Sequence, residues 1–143
     1  MRNDDSAGGT IGAALDRAAE RYGEELAYVF ANGDLTYTHL KETSDLLARG
    51  FLGLRVKKGD PVAIWIAGYA EWAFVYFALA RIGAIMVPVN TRYRPDEIKY
   101  VLKKSKAAWL VFKEEPNKDF CGILEQLFEG GAFTGSLDRK SVV

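Results

Sequence analysis

ARIGAIMVPVNTRYRPDEIKYVLKKSKA, residues Ala80 to Ala107, is the stretch whose reading decides the fold. An apolar helix stops at Gly83, a residue that readily takes the left-handed conformation of a helix end. A short apolar strand, Ala84–Val87, follows and is halted by Pro88. The polar loop Asn90-Thr91-Arg92-Tyr93-Arg94 comes next, and Pro95 opens a charged helix to Lys104. Upstream, Pro61 opens an unbroken apolar run, Val62–Ile66, of the kind that fits a strand covered on both faces. The helix Tyr69–Ile82 is apolar around most of its circumference, so it is expected to be enclosed on several sides. Downstream, Ala108–Phe112 is a further strand. Strands alternating with helices of these lengths predict an α/β fold, a mainly parallel sheet flanked by helices.

Toward the N-terminus, Thr10 is placed to cap a helix over Ile11–Tyr22, with Ile11, Leu15, Ala18 and Tyr22 on its inner face. Leu26–Ala31 and Leu35–Tyr37 flank Asn32-Gly33-Asp34, whose Asn-Gly pair tolerates the positive φ of a tight hairpin turn. This β-hairpin is expected at the edge of the sheet. Thr38 is the expected cap of the next helix, with Leu40, Leu47, Phe51 and Leu54 facing inward and Ser44 interrupting them. After Phe112, KEEPNKD reads as a loop and Phe120–Phe128 as a helix. The resulting division is a flexible N-terminus at 1–9, an α/β subdomain at 10–129 and a disordered tail at 130–143.

Composition excludes several classes of function. The 143 residues are 49% hydrophobic, enough for one core. Lys plus Arg and Asp plus Glu balance at 19 each, so no overall field attracts nucleic acid or an anionic membrane. Trp72 to Val89 is nearly long enough to span a bilayer, yet Arg81 lies inside it, where a charge costs roughly 2.5–3.5 kcal/mol. A buried helix running into a buried strand avoids that cost. The single Cys121 forms no internal disulfide and suits a reducing compartment. With a polar, acidic N-terminus the expectation is a cytoplasmic protein without a transmembrane segment.

The candidate chemical groups are few. Gly8 to Gly12, GGTIG, lacks the preceding strand and partner Lys of a phosphate-binding turn and reads as a helix entry. His39 is the sole histidine and has no Cys or second His nearby to complete a metal set. Glu114-Glu115 and Asp96-Glu97 read as solvated carboxylates, the latter suiting a helix N-terminus. Trp72, Phe74, Tyr76 and Phe77 read as core packing rather than an acyl pocket. No catalytic or metal-binding residue is expected in this chain.

Two segments resemble the adenylate-forming, AMP-binding enzymes, and in particular the acyl-CoA synthetases. LTYTHL, Leu35 to Leu40, is similar to the first core segment of that superfamily, and ARIGAIMVPVN, Ala80 to Asn90, to the second. GDPVAIWIAGYAEWAFVYFALARIGA between them, and NTRYRPDEIKYVLKKSKAAWLV after them, follow in the same order, so the likeness covers Thr10 to Phe112. It implies the N-terminal portion of a ligase that joins a carboxylic acid, ATP and CoA through an acyl-adenylate, as in fatty acid metabolism. ATP, Mg2+ and CoA are implied for the full-length parent. The Ser/Thr/Gly-rich loop and Lys that meet the triphosphate lie, in such enzymes, beyond the portion seen here. The chain alone is therefore expected to bind none of these cofactors productively and to be inactive, with the C-terminal portion of the synthetase as its partner and a homodimer through exposed surface as an option. Asn90, Thr91, Arg92, Tyr93 and Arg94 are the candidate CoA contacts: two guanidiniums for phosphates and an aromatic ring for adenine. The other use of that loop has its Arg side chains paired with carboxylates such as Glu97 while Asn90 holds the turn. Competing readings are a free-standing α/β binding or assembly module, a peptide-synthetase adenylation domain and a luciferase-like enzyme.

Overall fold

Pro61–Trp65, Ile85–Pro88 and Trp109–Phe112 form one parallel sheet, with Pro61–Trp65 in the middle. The computed structural model describes residues 9–31, 33–113 and 119–129. Expectations for residues 1–8, Asn32, Glu114, Glu115 and the tail at 130–143 lie outside the described residues, as does the side chain of Cys121. In chain order the elements are α1 (Ile11–Tyr22), β1 (Leu26–Phe30), β2 (Gly33–Thr36), α2 (Tyr37–Gly53), β3 (Pro61–Trp65), α3 (Ala70–Ile82), β4 (Ile85–Pro88), α4 (Pro95–Ser105), β5 (Trp109–Phe112) and α5 (Phe120–Glu129). They divide into two units, one holding α1, β1, β2, α2 and α3, the other β3, β4, α4, β5 and α5.

In the first unit, Thr10 caps α1 as expected, its Oγ1 accepting from the Ala13 N–H at 3.1 Å. The buried face of α1 is Gly12 and Leu15, whereas Ile11 and Tyr22 are exposed. Gly12 lies close under α3: a Cβ there would stand 3.0 Å from Cγ of Arg81, a tight contact that the arginine side chain would have to relieve. Thr36, not Thr38, caps α2, accepting from the His39 N–H at 3.2 Å. The strand hands over to the helix two residues early because Thr36 keeps extended backbone (φ −79, ψ 161) while its hydroxyl closes the first turn. The inner stripe of α2 is Leu40, Ser44 and Ala48 at i, i+4 spacing. Ser44 thus belongs to the buried face, and Leu54 is exposed. Small residues on that stripe let α2 lie close to α3. Leu15, Leu35, Leu40 and Ala73 make the core of this unit, with Phe30, Tyr37, Phe74 and Phe77 packed around it. The hairpin β1–β2 is antiparallel and forms a two-stranded sheet of its own.

In the second unit, Val62, Ala63, Ile64 and Trp65 of β3 are all at most 1% exposed. That total burial is why the strand reads as an apolar run rather than an alternation. The chain returns from β4 to β5 through α4 and crosses the middle strand. Ile98 and Leu102 of α4 and Phe120, Leu124 and Leu127 of α5 pack with Ala63, Trp65 and Val89 into one cluster. Trp65 meets Phe120 edge-on at 4.5 Å, and Phe112 stacks on the same ring at 5.8 Å. Among the described residues no helix is long and apolar enough to cross a membrane.

Candidate functional site: the loop between β4 and α4

The loop inherits its position from the sheet. Val89 extends the parallel ladder one step past β4, its N–H donating to Ile64 O at 2.8 Å, and its side chain is buried in the core cluster. Asn90 then turns the chain. Its Oδ1 accepts from the Arg92 N–H at 2.9 Å while its carbonyl accepts from the Tyr93 N–H at 3.1 Å. An Asx turn nested in a β-turn is the structure that Asn favours. At the far end the Arg94 N–H donates to Glu97 Oε2 at 2.8 Å, and Pro95 supplies the first helical residue. Both ends of the loop are therefore pinned.

This arrangement presents the side chains. Arg92 and Arg94 are exposed, and among the described residues neither guanidinium pairs with a carboxylate. Glu97 holds a backbone N–H rather than an arginine side chain. Tyr93 is half-buried and packs against the core cluster. With Asp96, Glu97, Tyr100 and Val101 it also lines an open depression of about 370 Å3. Tyr93 thus has one side anchored and another available.

The remaining sequence candidates stay apart from this chemistry. His39 is exposed, with its ring 5.6 Å from that of Phe74. Trp72 stacks on Tyr76 at 5.4 Å, and Tyr76 meets Phe77 edge-on at 5.1 Å. Gly9 and Thr10 are an exposed helix entry. Among the described residues there is no group of three His, Cys, Asp or Glu side chains placed to hold a metal ion.

Sequence reasoning missed one polar cluster. Arg81 on α3 donates to Asp16 on α1 through Nη1 at 3.1 Å and Nη2 at 2.5 Å. Its Nε lies 2.6 Å from Asp45 Oδ1 on α2 without the alignment of a hydrogen bond, so the fork to Asp16 carries the directional bonding. Lys41 bridges Asp45 at 2.8 Å and approaches Asp16 at 3.9 Å. The hydrogen bond from Arg81 holds the Asp16 carboxyl below its ordinary value, and the same bond raises the Arg81 guanidinium. A lone Arg in an apolar helix was the available signal, because such a charge requires a carboxylate partner.

Comparison with known proteins agrees with this architecture. A model of the AMP-binding enzyme family matches residues 15–133, and the chain belongs to that family. YngI of Bacillus subtilis, which bears an acyl-CoA synthetase name, is 39% identical over 107 residues, 73% of this chain and 20% of YngI. The human mitochondrial medium-chain acyl-CoA ligase ACSF2 is 36% identical over 121 residues, 82% of this chain and 20% of that protein. The N-terminal subdomain of Klebsiella oxytoca NpsA, solved with 3-hydroxybenzoyl-AMSN, superposes with a TM-score of 0.70 at 30% identity. That match covers 77% of this chain and 28% of the solved one. The chain thus spans about a fifth of the length of the curated relatives it matches.

Proposed function

We propose that this chain supplies scaffold to an ATP-dependent acyl-CoA synthetase and, through Asn90–Arg94, one wall of the site that receives CoA. The observation that carries the reading is the pinned loop at the carboxyl end of a parallel strand, with two guanidiniums that meet no carboxylate among the described residues, beside an anchored tyrosine. Ligands of α/β sheets meet loops at that end of the strands, and an arginine fork suits phosphate oxygens. The curated relatives at 36–39% identity are named for acyl-CoA, which supports the CoA-ligase reading.

The residues present do not fit ATP and Mg2+. Residues 9–129 contain no Ser/Thr/Gly-rich run ending in Lys, and among the described residues no His, Cys, Asp or Glu side chains form a metal-holding group. No step of adenylation is therefore assigned to them, and the chain alone makes no acyl-adenylate. A cytoplasmic location completes the proposal.

The test is a chimera in which residues 10–129 replace the aligned segment of YngI. Thioester formation is expected to survive. Arg92→Ala in the chimera is then expected to raise the KM for CoA about tenfold, the loss of one charged hydrogen bond, with kcat and the KM for ATP little changed. An unchanged KM for CoA in both Arg92→Ala and Arg94→Ala removes the loop from the CoA site.

A further inference from the structure

The exposed face of α4 carries a pattern that the core does not use, and it adjoins the candidate CoA loop through Glu97, which holds the Arg94 N–H, and through the depression that Tyr93 shares. At about 100° per residue, Asp96, Glu97, Tyr100, Lys103 and Lys104 all fall within roughly 60° of Tyr100 around the helix. Ile98 and Leu102, on the opposite side, are at most 2% exposed and fill the core. Tyr100 is 61% exposed, and the two carboxylates and two ammonium groups flanking it are exposed as well. Nζ of Lys104 bonds the Tyr100 hydroxyl at 3.2 Å, and its charge lies above the ring. The face therefore runs acid, tyrosine, base along the helix axis.

Such an order is complementary to itself when reversed. A two-fold axis at Tyr100 sets α4 against an antiparallel copy, bringing Asp96 across from Lys103 and Glu97 across from Lys104 of the second copy, twice by symmetry. Parallel packing would instead oppose like charges. From this pattern we infer that the outer face of α4 is a docking surface for a second copy of this chain, packed antiparallel about Tyr100. The open depression beside Tyr100, lined by Tyr93, Asp96, Glu97 and Val101, has room for the aromatic ring of the second copy. A single pair of 11-residue helices buries less than the roughly 1,200 Å2 of a stable interface, so the association is weak and reversible. It is also salt-sensitive, because exposed charges are screened over about 8 Å at physiological ionic strength. The surface does not depend on the CoA reading, since its readout is oligomeric state alone.

The dyad gives a specific test by sedimentation equilibrium of the whole chain. Position 100 faces itself only in a symmetric pair, so Tyr100→Glu and Tyr100→Lys should each self-associate about tenfold or more weakly than the wild type, through like-charge contact. An equimolar mixture of the two should recover 1:1 association. Both substitutions suit an exposed helix position and find charged neighbours at i±3 or i±4, so α4 should persist, as circular dichroism will show. Wild-type chain that stays monomeric near 1 mM in low salt overturns the inference. Association equal to wild type in both variants, which would put the second copy on another face, overturns it too.

Discussion

Replacing Arg81 by Met keeps most of the side-chain volume and removes the charge that ties three helices together. Arg81 is 18% exposed and Asp16 is 36% exposed, so the pair is neither on the surface nor in the interior. Exposed pairs contribute about 0–1 kcal/mol, and losing one partner of a buried pair costs about 3–5 kcal/mol. The intermediate burial and the two-pronged bond to Asp16 place Arg81→Met at about 2 kcal/mol, with two carboxylates left facing one another across α1 and α2. In urea, with a slope of about 2 kcal/mol/M, the midpoint should fall by about 1 M. A double-mutant cycle with Asp16→Asn should show about 1 kcal/mol of coupling. The pH dependence has a definite sign. The folded-state pKa of Asp16 lies below its ordinary 3.8, so the stabilisation is complete above that value and is lost as the pH falls through the lowered one. The gap between wild type and Arg81→Met should be constant from about pH 5 to 7 and narrow below about pH 4. Coupling under about 0.3 kcal/mol, or a gap undiminished at pH 2, would refute the clasp.

Two further substitutions probe the packing. Ser44 is 0% exposed, and its Oγ has no hydrogen-bond partner among the described residues, so Ser44→Ala should stabilise the chain by about 1 kcal/mol in urea unfolding. A loss of that size would instead mean the hydroxyl is bonded. Trp65 is 0% exposed against Phe120, so Trp65→Ala should cost about 4 kcal/mol, whereas a cost near 1 kcal/mol would place the ring outside the core.

Much of the fold was legible because periodicity and punctuation agreed. The limits of α1, α3 and α4 follow from Thr10, Gly83 and Pro95, residues whose backbone chemistry permits little else there. The start of α2 is ambiguous in the sequence because Thr36 and Thr38 are equally good caps in isolation; the strand pairing of Leu26 with Thr36 and the Thr36 cap settle it. Ser44 reads as a break because hydropathy ranks it as polar, whereas helix approach selects for size. In the candidate site, Asn90 as the holder of the turn follows from its side-chain chemistry. That Glu97 would take the Arg94 N–H, leaving both guanidiniums without a carboxylate among the described residues, depends on the helix start and needed coordinates. The Arg81 cluster joins residues 65 positions apart, a separation no local pattern reports.

The most direct test of the central claim is ATP–pyrophosphate exchange by the purified chain, with intact YngI and a panel of carboxylic acids alongside. Exchange at background for this chain, with exchange by the intact relative, is the expected result. Turnover well above background by these residues alone would contradict the assignment of a scaffold role without adenylate chemistry.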